Sequence, residues 1–123
     1  MDNPCIPLYD TGKNVTGRAT IAVIGKRCVK ITANAGKGNP VSVGPATAAG
    51  RIFGVAAYDA PIGDVVPVVK GGVIPIKAVG AIAAGAEVEV AAAGAVSTKA
   101  AGIAIGVAIY DVADTLDALI DLY

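Results

Sequence analysis

Apolar positions along the chain come in short β-branched runs, broken every several residues by glycine, proline or small polar side chains. Runs of about four to eight residues bounded by turn formers read as strands. They are predicted at residues 20–24, 27–32, 52–58, 65–70, 73–78, 87–91, 103–110 and 118–123. Glu87-Val88-Glu89-Val90 alternates polar and apolar positions, which puts one face of that strand, with both glutamates, in solvent. Val65-Val66-Pro67-Val68-Val69 contains a residue with no N–H for a ladder, so it is expected at a sheet edge or a bulge. Leu116, Leu119, Ile120 and Tyr123 fall at helical spacing. The same stretch aligns, in the repeat described next, with the proline-containing run, which an ordinary helix does not tolerate; a strand is expected.

Two stretches repeat. Gly54-Val55-Ala56-Ala57-Tyr58-Asp59 returns as Gly106-Val107-Ala108-Ile109-Tyr110-Asp111, an offset of 52. Gly25-Lys26-Arg27-Cys28-Val29-Lys30-Ile31 resembles Gly85-Ala86-Glu87-Val88-Glu89-Val90, an offset of 60. The difference of eight residues implies an insertion in the first copy, assigned to Gly36-Lys37-Gly38-Asn39-Pro40. Fixed-offset similarity predicts two related β-units, residues 17–72 and 73–123, with 73–78 joining them. The fold class expected is all-β, a small barrel or sandwich. Residues 1–16 stand apart as an extended arm, because Pro4 and Pro7 disfavour helix and little local material can bury Ile6, Leu8 and Tyr9.

Composition narrows the chemistry. The chain has 123 residues, no histidine, two cysteines and one phenylalanine, Phe53. Without histidine the commonest general base, the His-activated nucleophiles and most catalytic zinc sites are excluded. Ser42 and Ser97 sit in no nucleophile-elbow context, and the Gly-Lys stretches lack phosphate-loop spacing. Asp111, Asp114 and Asp117 lack the glycine and bidentate glutamate of a calcium loop. No enzyme, cofactor, metal or small-molecule substrate is expected. Cys28 reads as a small buried filler; whether it pairs with Cys5 is left open. Tyr58-Asp59 and Tyr110-Asp111 read as a strand-ending aromatic followed by a turn-starting acid.

Mean hydropathy is +0.66 with 54% hydrophobic residues, yet the longest charge-free apolar stretch, residues 100–110, is too short to span a bilayer. No membrane association is expected, and Met1-Asp2-Asn3-Pro4 lacks the basic start of a signal peptide, so synthesis in the cytoplasm is expected. A core of alanine and valine gives a modest stability on its own, so association with copies or a partner is expected. Net charge is zero, but its order is not bland. Between residues 11 and 51 every charge is basic (Lys13, Arg18, Lys26, Arg27, Lys30, Lys37, Arg51), and the last stretch holds only Asp111, Asp114, Asp117 and Asp121. Two readings remain open: pairing between neighbouring copies or with an oppositely charged lattice, or intermingling within one folded chain. Nucleic acid is not an expected partner, because the basic stretch has no interleaved aromatics.

Asn3-Pro4-Cys5-Ile6-Pro7-Leu8-Tyr9, followed by Gly12-Lys13-Asn14-Val15-Thr16-Gly17-Arg18-Ala19, resembles the head-decoration, or capsid cement, proteins of tailed bacteriophages, most closely those of phages infecting actinobacteria. Gly54-Val55-Ala56-Ala57-Tyr58-Asp59, Gly71-Gly72-Val73-Ile74-Pro75-Ile76, residues 81–90 and Leu122-Tyr123 extend the resemblance over nearly the whole chain. Asp114-Thr115-Leu116-Asp117 departs from it, standing where relatives often have a Gly-rich turn. The resemblance implies a β-tulip-like, non-enzymatic virion protein. Such a protein binds the outside of the capsid as a homotrimer at three-fold and quasi-three-fold axes, has the major capsid protein as its partner, and stabilises the expanded head. It implies a capsid- or neighbour-binding role for the arm residues Asn3, Pro4, Ile6, Pro7, Leu8 and Tyr9. Arg18, Lys26, Arg27, Lys30, Asp111, Asp114, Asp117 and Asp121 are the candidate charge-complementary contacts. The same composition also suits a self-assembling shell or fibre subunit. A biotinyl or lipoyl carrier, the third class considered, needs a lysine context that Lys77 and Lys99 lack.

Overall fold

A computed structural model describes residues 14–123 and is all-β apart from one 3-10 turn at Ala92–Gly94. Strands β1 (Asn14–Ala19), β2 (Cys28–Ala33), β3 (Val41–Pro45), β4 (Gly54–Ala56) and β5 (Val65–Val69) close into a barrel. Its order is β1-β3-β2-β4-β5, with β5 returning to β1. Strands β6 (Val73–Lys77), β7 (Glu87–Val90), β8 (Val96–Thr98), β9 (Gly106–Ala108) and β10 (Asp117–Leu122) form a sheet in the order β6-β10-β9-β7-β8. All pairs are antiparallel except β1 with β3. Along β1, β6 and β10 every second side chain is buried, so valine, isoleucine and alanine at period two point inward.

The two units are copies of one hydrogen-bonding plan. Ala19 N–H donates to Asp64 O and Ala78 N–H to Leu116 O; Phe53 N–H donates to Val29 O and Ile105 N–H to Val88 O. The isolated bridges Val23↔Ala60 and Ile82↔Val112 match in the same way. Every one of these pairs gives an offset of 59 for residues 19–29 and 52 for residues 53–64. The offset read from sequence, 60, is therefore wrong by one: Lys26, not Gly25, is the counterpart of Gly85, and both have positive φ. Thr20 N–H donates to Val43 O as Val79 N–H does to Val96 O, which gives 53 at β3. Six of seven inserted residues thus fall between residues 29 and 43, in the β2–β3 hairpin, and one falls between 46 and 53. The barrel core of Ala19, Val23, Val29, Val43, Ala56, Ala60, Val66 and Val68 maps residue by residue onto Ala78, Ile82, Val88, Val96, Ala108, Val112, Ala118 and Ile120.

One difference between the copies joins them. The parallel β1–β3 pairing covers three residues, whereas its counterpart between β6 and β8 is reduced to Ala78↔Val96. Residues 26–28 of the first unit fill that seam. Lys77 N–H donates to Lys26 O at 3.0 Å, Arg27 Nη1 to Ala93 O at 3.3 Å, and Lys26 Nζ pairs with Asp117 at 2.8 Å. Gly94, at φ +80, lies against the backbone of Cys28 so closely that a Cβ would collide with the Cys28 carbonyl. Cys28, Ala46 and Val55 then pack into one cluster with Ile74, Ile76 and Ile120 of the second unit. Each fully buried valine or isoleucine contributes roughly 1.5–3 kcal/mol, and this cluster draws on both units.

Several sequence expectations are corrected. Residues 20–24 are not a strand; beyond Val23↔Ala60 they have no ladder, and the strand lies one step earlier, in β1. That places Asn14, Val15 and Thr16, read as arm, in the barrel wall, with Val15 buried. Pro67 is at neither an edge nor a bulge, because β5 is paired on both sides. The β4 ladder reaches only Val68 and Val69, so no donor is demanded of Pro67 there, while its carbonyl still accepts from Ala57 N–H. Residues 73–78 are not a joiner but the second unit's counterpart of β1. Glu89 is only 8% exposed, because the β8–β9 loop folds over it and Ala100 N–H donates to Oε1 at 2.7 Å. Strands β3 and β8 were not foreseen, while the C-terminal segment is a strand as expected.

Candidate functional site

The arm residues Asn3, Pro4, Ile6, Pro7, Leu8 and Tyr9, and Cys5, lie outside the described residues. The candidate charges are described, and most are bound within the chain. Arg18 Nη1 donates to Gly63 O at 2.6 Å and Lys30 Nζ to Thr47 Oγ1 at 2.6 Å. Asp111 accepts from Ala84 N–H and Asp114 from Gly80 N–H, each at 2.7 Å, so these acids tie turns together across the fold. Asp59 does the same for Gly25 N–H at the position equivalent to Asp111. The Tyr-Asp acid therefore fastens a distant loop rather than its own turn. Lys26–Asp117 joins the basic half to the acidic half inside one molecule. It is the only ion pair among the described residues, and at 58% and 38% side-chain exposure it contributes well under about 1 kcal/mol.

Asp121 is different: it faces outward between Val73 and Val107, and Glu87 completes this four-strand row. The matching row in the barrel, Asn14, Val69, Val55 and Cys28, is apolar at three of its positions and packs against the second unit. The same geometric face is therefore an internal interface in one copy and an open surface in the other. Other large apolar side chains are exposed at the barrel end where residues 20–24 and 58–64 meet. Ile21 is 53% and Ile62 69% exposed, and Ile24 and Tyr58 of the same two segments are exposed as well. These exposed groups offer contact area.

A cleft of about 310 Å³ opens between the units, and sequence reasoning missed it. Its walls come from equivalent positions in the two copies: Phe53 faces Ile105, and Lys70-Gly71 faces Leu122-Tyr123. Lys70 Nζ donates to Phe53 O and sits 3.9 Å from the centroid of the Phe53 ring. Burial lowers the Lys70 pKa from its ordinary value. Tyr123 donates its hydroxyl to Glu87 Oε2 at 2.6 Å, and that hydrogen bond raises the phenol pKa. Cys28 is fully buried, which pushes its thiol up to about 12 and leaves it unreactive at neutral pH. The sequence signals for the cleft were Phe53, the lone phenylalanine, and the Gly71-Gly72 break after Lys70; neither says that the two repeats face each other there.

Among the described residues no group of three metal-ligating side chains exists, and no helix is long and apolar enough to cross a membrane. Comparison with curated proteins gives no match. Among solved structures, the head fiber gp8.5 N base in bacteriophage phi29 shares the fold, with a TM-score of 0.74 at 17% sequence identity. The alignment covers 89% of this chain and 92% of that one. Residues 10–120 match the sequence family described as phage cement protein. With that match running almost the full length, from before β1 into β10, the chain belongs to the phage cement protein family.

Proposed function

We propose that this protein attaches to the outer surface of a phage capsid as a trimer at three-fold and quasi-three-fold axes and stabilises the expanded head, without enzymatic activity. The observation that carries the reading is the family match over residues 10–120. The exposed Ile21, Ile24, Tyr58 and Ile62 and the outward row around Asp121 support it, because they give contact area for a partner surface. The major capsid protein is the partner. Asn3, Pro4, Ile6, Pro7, Leu8 and Tyr9 contact it or a neighbouring copy, and linked weak contacts hold through high effective concentration. Of the charged candidates, Asp121 is the one most open to a partner. The likeness to cement proteins of phages infecting actinobacteria rests on the opening nineteen residues and on Gly71-Gly72-Val73-Ile74-Pro75-Ile76.

Co-sedimentation with expanded, undecorated heads tests the function. The full chain should pellet with them, and failure to do so refutes the proposal. Removal of residues 1–9 should weaken binding; undiminished binding refutes the role of the arm. Light scattering of the isolated protein should give three times the 12.0 kDa chain mass. The shared fold with a head fiber base favours a second reading, a subunit of a shell or fibre, and open-ended polymers in that measurement would support it instead.

A further inference from the structure

The cleft between the units has a composition that specifies its occupant. Two cations, Arg51 and Lys70, line it beside Ile52, Phe53 and Ile103, and no carboxylate side chain is among its lining residues. Among the described residues Lys70 is met by a carbonyl and an aromatic face, and it is partly withdrawn from water. A partly desolvated ammonium next to apolar walls fits a ligand that carries a carboxylate among apolar side chains.

The chain supplies such a segment at the right place. Asn14, the first residue of β1, pairs with Val69, so the described chain begins beside Lys70 and Gly71, both of which line the cleft. Residues 1–13 contain Ile6, Leu8 and Tyr9 with Asp2 and Asp10, against a single cation, Lys13. Four extended residues carry the chain about 13–14 Å, which brings Asp10 within range of the cleft, and Leu8 and Tyr9 follow directly.

We propose that residues 1–13 dock into this cleft of their own chain, with Asp10 toward Lys70 and with Leu8 and Tyr9 against Ile52, Phe53 and Ile103. In the free protein the apolar side chains of the segment are thereby covered until a partner surface competes for them. This goes beyond capsid attachment, and its test needs no capsid, so the two fail separately.

Because Cys28 is 0% exposed, labelling is directed to Cys5. A nitroxide placed on Cys5 of the full chain, read by the broadening of backbone amide resonances, should act on Phe53, Lys70, Ile103 and Tyr123 and spare Ile21 and Ile62 at the far barrel end. Lys70→Glu should reduce the docked population about twofold to fivefold, as should Asp10→Lys, and the double variant should restore it. Where Lys70→Glu unfolds the chain, Asp10→Lys carries the same test from outside the folded core. Absent or uniform broadening overturns the proposal. So does broadening that arises in a mixture of nitroxide-bearing, isotope-free chains with isotope-labelled, nitroxide-free chains, since a second copy is then the donor.

Discussion

Gly94→Ala tests the seam between the two units, and Gly80→Ala is its matched control. Both glycines have left-handed backbone, at φ +80 and +78, so alanine at either carries the same conformational penalty, about 1–2 kcal/mol. They differ in surroundings. At Gly80 a Cβ meets nothing within 4 Å. At Gly94 it collides with the Cys28 carbonyl and comes within 3.1 Å of the Cys28 nitrogen, backbone that is fixed by Ala46 N–H and by the buried Cys28 side chain. Forcing that contact open adds about 1–3 kcal/mol of overpacking, for a total of roughly 2–5 kcal/mol. Urea denaturation followed by linear extrapolation should therefore show Gly94→Ala well below Gly80→Ala in stability. Equal losses for the two variants would refute the idea that residues 26–28 are wedged in the β6–β8 seam.

Stability should also fall with rising pH because of Cys28. Its thiol is raised from 9.0 to about 12 in the fold, so above pH 9 the unfolded chain loses a proton that the folded chain retains. The contribution is fully present well below pH 9, and on the order of 1 kcal/mol of it is gone by pH 10. Cys28→Val should lose that part of the pH slope, as read from urea midpoints at pH 8 and 10; identical slopes refute it. Asp59→Ala and Asp111→Ala, which remove equivalent bonds to Gly25 and Ala84 N–H, should each cost about 1–2 kcal/mol in thermal or urea unfolding. Ile120→Ala, fully buried in the shared cluster, should cost about 2–5 kcal/mol, whereas Lys26→Ala should cost under about 1 kcal/mol and respond to salt.

Some of this was legible in the residues. β-Branched runs cut by glycine and proline gave the all-β class and most of the second unit's strands, and Gly54 to Asp59 recurring at Gly106 to Asp111 gave the duplication. What failed did so where a residue's fate depends on a partner distant in sequence. Residues 20–24 have the composition of a strand but form no ladder beyond the single bridge Val23↔Ala60. Pro67 looks like an edge residue until closure of the barrel shows that the β4 ladder stops short of it. Glu89 looks solvated until the β8–β9 loop folds over it and supplies Ala100 N–H.

The sequence by itself determined the local alternation, the two-unit organisation and the lack of histidine, because these are properties of residue type and spacing. Tertiary structure decided closure of one unit and opening of the other, and with it the wedge of residues 26–28 in the seam. It also decided the charge pattern: Lys26 meets Asp117 across 91 positions, so the opposed halves of the sequence partly neutralise each other inside the molecule. The cleft that gathers Arg51, Lys70, Phe53 and Tyr123 exists only because two repeats face each other, a relation that no spacing within either repeat encodes.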